Sequence, residues 1–491
     1  MYDDAARKVD PWEVDQRARC DHFGKHPTKK ASRAGLERWK VLADIVMEWL
    51  RSDGTDDAAA EIASNQLADF DTVTRDLIGS WFTGVRRVIH PDDGELDSDP
   101  VRPRVTDEAG GRYLTVPLIF ALDGESGREE VRLVTGSRGT TPLEAAIFYS
   151  DGEEDVELFD MRASSGELTP IDPPEHGPAL IEEMFEQDAT LAAEPKGPPS
   201  PGLHCFLCPS AMRCGEYPLI SDGSPRASTR TVTLSRSNIS DLTRCERRVA
   251  WQKVHGIPKE DEREGYGSSV GSTVHEIIAA HLSGSSPKDA LDAARQTCPP
   301  DQWSEIAYLF DQHLVLWDQH PALKVIAVER EIGFGGMMDD PHESGDGAVV
   351  MIGRPDANGW ESETTAAVVE WRTGNVAEPY PLESEFYAVA AWEKIKAMGR
   401  ALDQVAVHHH FLRPETPLCE RRIFSELELI KAKKALAEAG RTALSWDPND
   451  PSQPPYTVGD WCTTCPFENR CKRHRGDSEL QSAGNEIRQI R

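Results

Sequence analysis

Between residues 323 and 375 the apolar positions gather in short β-branched runs, LKVIAVEREIGFGG, GAVVMIGRPDANG and TTAAVVEWRTGN, each closed by glycine, proline or asparagine. These runs predict neighbouring strands of a mixed sheet, with a turn signal at Asn358-Gly359. On either side the spacing lengthens to a helical period. In SSVGSTVHEIIAAHL, Ile278 and His281 fall one or two turns from His275; in PLESEFYAVAAWEKIKA, Leu382, Phe386, Val389 and Trp392 are spaced for burial. The pattern is that of a sheet flanked by helices.

Polar residues interrupt this pattern in an ordered way. Asp356 ends one run, while Glu370 and Arg372 alternate on the next and share a face, where Asp356 can meet them. Glu383 and Tyr387, four apart, share a helix face. Two carboxylates and His275 converging at strand ends would form an oxygen-rich site for Mg²⁺ or Mn²⁺, able to activate water and stabilise the charge of a phosphodiester transition state. Taken singly, an aspartate after proline is usually a turn residue and a helix histidine is more often structural. Order and spacing together carry the expectation.

At 491 residues the chain is long enough for two to four domains, and it has no apolar run near the ~20 residues of a membrane-spanning helix. Its opening, MYDDAARKVDPWEVDQ, lacks a secretory apolar stretch, so no membrane association and a reducing cytoplasm are expected. The net charge of −30 argues against passive coating of a polyanion. Positive charge is instead gathered beside cysteines. Arg244, Arg247, Arg248 and Lys253 flank Cys245; Arg470, Lys472, Arg473 and Arg475 flank Cys471; Lys25, Lys29, Lys30 and Arg33 follow Cys20. Without the cysteines these would read as solvated helix faces.

Eight of the ten cysteines repeat one layout. Cys205, Cys208 and Cys214 in HCFLCPSAMRC have the spacing of Cys462, Cys465 and Cys471 in WCTTCPFENRC, and each triplet is preceded by one distant cysteine, Cys20 or Cys245. Four thiolates suit either tetrahedral zinc or an iron-sulfur cluster. A tight triplet with a remote fourth ligand favours iron-sulfur, with zinc or chance spacing as alternatives. For Cys298 and Cys419 the role of small apolar residues suffices. The repeated layout divides the chain into 1–220, a linker at 221–232, and 233–491.

In the second part, Gly271-x3-His275, Gly353-Arg-Pro355-Asp356, Glu370-x-Arg372-Thr373-Gly374 and Glu383-x3-Tyr387, framed by Cys245 and the last triplet, resemble the PD-(D/E)XK nuclease superfamily. The likeness is to its RecB/AddB-like iron-sulfur exonuclease branch, which includes CRISPR-associated adaptation exonucleases. The resemblance implies an α/β restriction-endonuclease-like fold whose ends are pinned by a [4Fe-4S] cluster. It further implies a catalytic metal on His275, Asp356 and Glu370, with Glu329 or Glu331 near, and Arg372, Glu383 and Tyr387 completing the site. DNA contacts are expected from Arg244, Arg247, Arg248, Lys253, Lys472 and Arg473. The family normally has lysine where this chain has Arg372 and glutamine where it has Glu383. Arginine keeps the charge but cannot exchange a proton as a tuned lysine can.

The first part reads as a degenerate copy. EEVRLVTGSRGTTPLEAAIFYS, 129–150, aligns with AAVVEWRTGNVAEPYPLESEFYA, but Arg132 takes the place of Glu370 and Val134 that of Arg372. Two tandem nuclease-like domains are therefore expected, each closed by four cysteines, the first unable to hold the catalytic metal. The expected function is a metal-dependent DNase acting on ends or single strands in repair, recombination or defence. The alternatives are an inactive iron-sulfur DNA-binding scaffold and a zinc-stabilised interaction protein. With no G-x4-G-K-[ST] loop, unwinding would come from a separate helicase or ATPase partner.

Overall fold

The computed structural model describes residues 7–9, 11–20, 29–30, 34–51, 56–68, 70–88, 95–97, 104–106, 112–115, 120–124, 127–134, 140–151, 156–193, 203–206, 208, 210–214, 216–220, 225–226, 229–260, 266–342, 346–374 and 380–474. It is a mixed α/β structure. In the second part, five strands lie in the order Lys324–Val328, Ala357–Trp360, Thr365–Arg372, Gln404–Phe411 and Leu418–Ser425. Every neighbouring pair is antiparallel except Thr365–Arg372 with Gln404–Phe411, which run parallel. A parallel pair needs a crossover, and helix Glu383–Ala397 supplies it.

Both faces of this sheet are covered, which is why Thr365–Arg372 is buried from Thr365 to Trp371. Ala366 and Val368 pack with Phe386, Val389 and Trp392 of the crossover helix. Ala367, Val369 and Trp371 pack on the other face with Val274, Ile278, Phe310 and Leu316, from helices Tyr266–Leu282 and Trp303–Gln319. Alternation along the strand thus places Glu370 on the crossover-helix face.

Two expectations need correction. The β-branched runs divide between two sheets, because Ile332–Asp339 pairs with Asp346–Gly353, which pairs in turn with Arg230–Ser235, and Lys29–Lys30 adds to the far edge of that strand. Asn358-Gly359 is not a turn but the middle of strand Ala357–Trp360, and the chain reverses at 361–364. Gly359 serves close approach, since a Cβ there would lie 2.1 Å from the Lys324 carbonyl oxygen.

In the first part, strands Glu95–Asp97, Phe120–Gly124, Gly127–Val134, Val156–Arg162 and Leu168–Ile171 form another five-stranded sheet. Its pairs are antiparallel, antiparallel, parallel and antiparallel, the same succession as in the second part. Helix Pro142–Phe148, with a Thr141/Glu144 capping box, connects its parallel pair. Thr135 and Gly136, which the alignment of 129–150 sets against Thr373 and Gly374, lie outside the described residues.

The expected linker overlaps strand Arg230–Ser235, which begins inside it. Arg230 is buried there, its Nε 2.7 Å from Asp340 Oδ2. Contacts also cross between the two parts. Arg38 Nη1 donates to the His255 carbonyl at 3.1 Å and Arg470 Nη2 to the Ser164 carbonyl at 3.2 Å, while Cys205 and Met212 pack on Ala348, Val350 and Ile352.

Candidate active site

Four elements bring the polar residues together at one end of the sheet. Helix Tyr266–Leu282 carries His275, the bend after Gly353 carries Arg354 and Asp356, strand Thr365–Arg372 carries Glu370 and Arg372, and the crossover helix begins at Glu383. Two glycines of the motifs permit this closeness. A Cβ on Gly271 would lie 2.9 Å from Thr373 Oγ1, and one on Gly353 would lie 2.4 Å from Phe386 Cε1. A side chain at either place would force the Thr373 or Phe386 side chain to move.

His275 Nδ1 stands 3.0 Å from Asp356 Oδ1 and 3.9 Å from Glu329 Oε1. One ligand atom from each of His275, Glu329 and Asp356 lies within 4.8 Å of the others. The second oxygen of Asp356 accepts the Trp371 backbone N–H, and Arg354 Nε holds Glu329 Oε2 at 2.9 Å, so both carboxylates are aimed. Glu329 has φ 51° and Leu382, just before Glu383, has φ 59°. Among the described residues these are the non-glycine positions in the left-handed region, and both adjoin the site.

Glu370 is 3% exposed and its Oε1 has no hydrogen-bond partner. Burial and the neighbouring Asp356 push its carboxyl up to about 8, and burial with Asp356 pushes Glu329 up to about 7. Burial pulls His275 down, but the carboxylates of Asp356, Glu329 and Glu370 together outweigh it and the imidazole is raised. The site is thus overcrowded with acceptors. A divalent cation would satisfy the orphaned oxygen and relieve the repulsion, so the donor set fits Mg²⁺ or Mn²⁺.

On the far side of Glu370, Arg372 pairs through Nη2 with Glu383 and lies 3.9 Å from Glu370 Oε2. Glu383 is fully buried and also meets Arg236 Nη1 at 2.6 Å. The Tyr380 ring lies under three guanidinium groups, Arg236 at 5.8 Å, Arg244 at 4.8 Å and Arg372 at 5.0 Å. Tyr387 is buried beside Glu370 and donates to the Arg354 carbonyl at 3.4 Å. Arg236, Arg354 and Tyr380 were not expected as site residues. Arg354 stood within a quoted motif, but nothing local marks Arg236, which enters from a helix begun by the Ser235 cap.

The other expected residues divide. Cys245 and Cys471 are the thiols bearing on Cys465, which burial pushes up to about 11, and Cys462 lies one turn away in Asp460–Thr464. Cys20 and Cys208 bear on Cys214, and Cys205 lies with Cys214 beside Tyr217. Arg247, expected to face DNA, is turned inward. It donates from Nε to the Pro454 carbonyl at 2.8 Å and from Nη2 to that of Ser452 at 3.1 Å. Lys253 is likewise drawn in, and burial lowers its ammonium. Arg248 pairs with Asp241 at 3.2 Å and Lys472 with Glu468 at 2.5 Å. Arg473 lies in helix Glu468–Arg473, its side chain outside the described residues.

One end of the sheet thus gathers an aspartate at a bend, a buried glutamate two residues before a cation, and the start of the crossover helix. Residues 233–472 match the profile of the PD-(D/E)XK nuclease superfamily and form a domain of it, just under half of the chain. Among solved structures, a candidate exonuclease from Eubacterium rectale is 9% identical, covers 47% of this chain and 87% of its own, and superposes with a TM-score of 0.29. An alkaline exonuclease from Laribacter hongkongensis is 14% identical over 35% of this chain and 92% of its own, with a TM-score of 0.16. No curated protein matches the chain. Among the described residues, no helix is long and apolar enough to cross a membrane.

Proposed function

We propose that the protein is a divalent-metal-dependent DNA nuclease whose catalytic centre lies in 233–472. The observation that carries this reading is the convergence of His275, Glu329 and Asp356 within 4.8 Å, beside the orphaned oxygen of Glu370. These four residues would hold Mg²⁺ or Mn²⁺. When bound, such an ion supplies a polarised water and charge neutralisation at the phosphate. The protein's own groups do the rest. Arg354 and the Trp371 amide aim Glu329 and Asp356, and Tyr387 walls in Glu370. Arg372 Nε is buried without a hydrogen-bond partner, a donor left over for a phosphate oxygen.

Arg244, with Arg236 and Arg372 around Tyr380, supports DNA entering from that side. Ends or single strands are the proposed substrates, in repair, recombination or defence, with unwinding left to a partner. The two one-plus-three cysteine sets fit [4Fe-4S] clusters, Cys20, Cys205, Cys208 and Cys214 in one, Cys245, Cys462, Cys465 and Cys471 in the other. Each would tie an early segment of its part to a late one. The matching succession of strand pairs supports a duplicated fold, with 1–220 a degenerate partner and residues from about 221 leading into the nuclease domain.

One observation favours a second reading. Arg372 already spends Nη2 on Glu383, as expected of a site retired to DNA binding. Both are tested by incubating the full chain with labelled single- and double-stranded DNA and Mn²⁺. Metal-dependent cleavage lost in Asp356→Ala supports the nuclease; cleavage equal in Asp356→Ala and parent refutes it, and DNA binding without cleavage leaves the scaffold.

A further inference from the structure

A second group of ligands lies on the opposite side of the sheet from the crossover helix. One ligand atom from each of His320, His408, His410 and Cys419 falls within 4.8 Å of the others. Strand alternation builds it. His408 and His410 are two apart on Gln404–Phe411 and share a face, and Cys419 on Leu418–Ser425 is the direct partner of His410. His320, which caps helix Trp303–Gln319, stacks on the His410 ring at 5.5 Å and meets His408 edge-on at 5.5 Å. His409 points the other way, its Nε2 2.9 Å from Ser384 Oγ.

We propose that these four residues are a closed structural zinc site, separate from the catalytic centre. The donor set, three imidazoles and one thiolate, suits Zn²⁺ rather than the hard cations of the carboxylate site. His410 is fully buried and neither of its ring nitrogens has a hydrogen-bond partner, a costly arrangement that coordination to a cation would relieve. His408 Nε2 sits 2.7 Å from Glu361 Oε1, and Glu361 is anchored in turn by Arg421 at 2.8 Å. That carboxylate assigns the proton to Nε2 and leaves the Nδ1 lone pair facing inward, the usual outer support of a metal-binding histidine. His408 Nδ1 is 3.6 Å from Cys419 Sγ. Tetrahedral bonds of about 2.3 Å to sulfur and about 2.05 Å to nitrogen place the two donors roughly 3.6 Å apart. Cys419 packs against the core as expected of a small apolar residue, and its thiol would serve as a ligand as well. The ion would fasten the end of Trp303–Gln319 to the two last strands of the sheet.

The test is zinc content per chain of the full-length protein, parent beside Cys419→Ser, His410→Gln and the control Cys298→Ser. The clustered cysteines are common to all four, so any zinc they hold cancels. Parent and Cys298→Ser should carry one zinc more per chain than Cys419→Ser and His410→Gln; equal zinc in all four overturns the proposal. Should the substitutions block folding, alkylation of Cys419 in the parent decides. Chelation should speed it, and an unchanged rate counts against the site.

Discussion

The carboxylate of Glu383 binds the guanidinium of Arg372, and its other oxygen holds Arg236 at 2.6 Å. The two positions at which the resembled motifs carry other residues, lysine in place of Arg372 and glutamine in place of Glu383, are therefore partners. Lysine and arginine carry the same charge, so the added negative charge of Glu383 is set against two guanidinium groups, those of Arg372 and Arg236. In contact, such residues should respond together. Cleavage rates in a cycle of Arg372→Lys, Glu383→Gln and the double variant should be non-additive, the double variant exceeding the product of the single effects by about fivefold or more, roughly 1 kcal/mol of coupling. Multiplicative rates would show that the pair does not act as a unit.

Removing only Glu383 leaves two guanidinium groups facing each other around a buried space. Glu383→Gln should therefore cost about 3 to 5 kcal/mol in denaturant unfolding, the range for breaking a buried ion pair on one side. A cost under about 1 kcal/mol would mean that water already screens the pair.

Arg244 and Arg247 are three residues apart and should behave oppositely. Arg247 bridges to the 451–456 loop through backbone carbonyls and stacks 4.5 Å over Tyr456. Arg247→Ala should lower stability by about 3 kcal/mol. Arg244→Ala should leave stability within about 0.5 kcal/mol. It should instead weaken DNA binding and reduce the salt slope by about one phosphate contact. Reversed outcomes would move the DNA path away from Tyr380.

His313 is fully buried among the rings of Phe310, Trp317 and Trp371, and burial, with His281 beside it, pulls it down to about 3. In the unfolded chain it titrates near its ordinary 6.5. Between those values the unfolded state holds a proton that the folded state does not, so stability rises with pH and falls on acidification below about 6.5, by about 1.4 kcal/mol per pH unit. His313→Phe removes that term. From pH 7 to pH 5 the parent should lose about 2 kcal/mol more than the variant, and parallel losses would place the acid sensitivity elsewhere.

Anaerobic purification should yield about eight irons and matching sulfide per chain, with a broad band near 400 nm. Cys208→Ser and Cys465→Ser should each remove about half the iron. Zinc in place of iron at both cysteine sets would turn the reading toward a zinc-stabilised interaction protein.

Local periodicity was enough to locate the helix of His275, the strand of Glu370 and the helix of Glu383, because alternation by two and by 3.6 is written in adjacent residues. The repeated cysteine spacing was legible for the same reason. What periodicity could not reach were partnerships across the chain. Glycine in Asn358-Gly359 reads locally as a turn, yet here it admits a neighbouring strand. Arg247 reads as surface charge until the 451–456 loop folds over it. Arg236 joins the carboxylates, and His320 joins His408, His410 and Cys419, only because helices and strands remote in sequence are packed against one sheet. Which side chains meet, and so which charges are paired, orphaned or ready for a cation, is set by that packing.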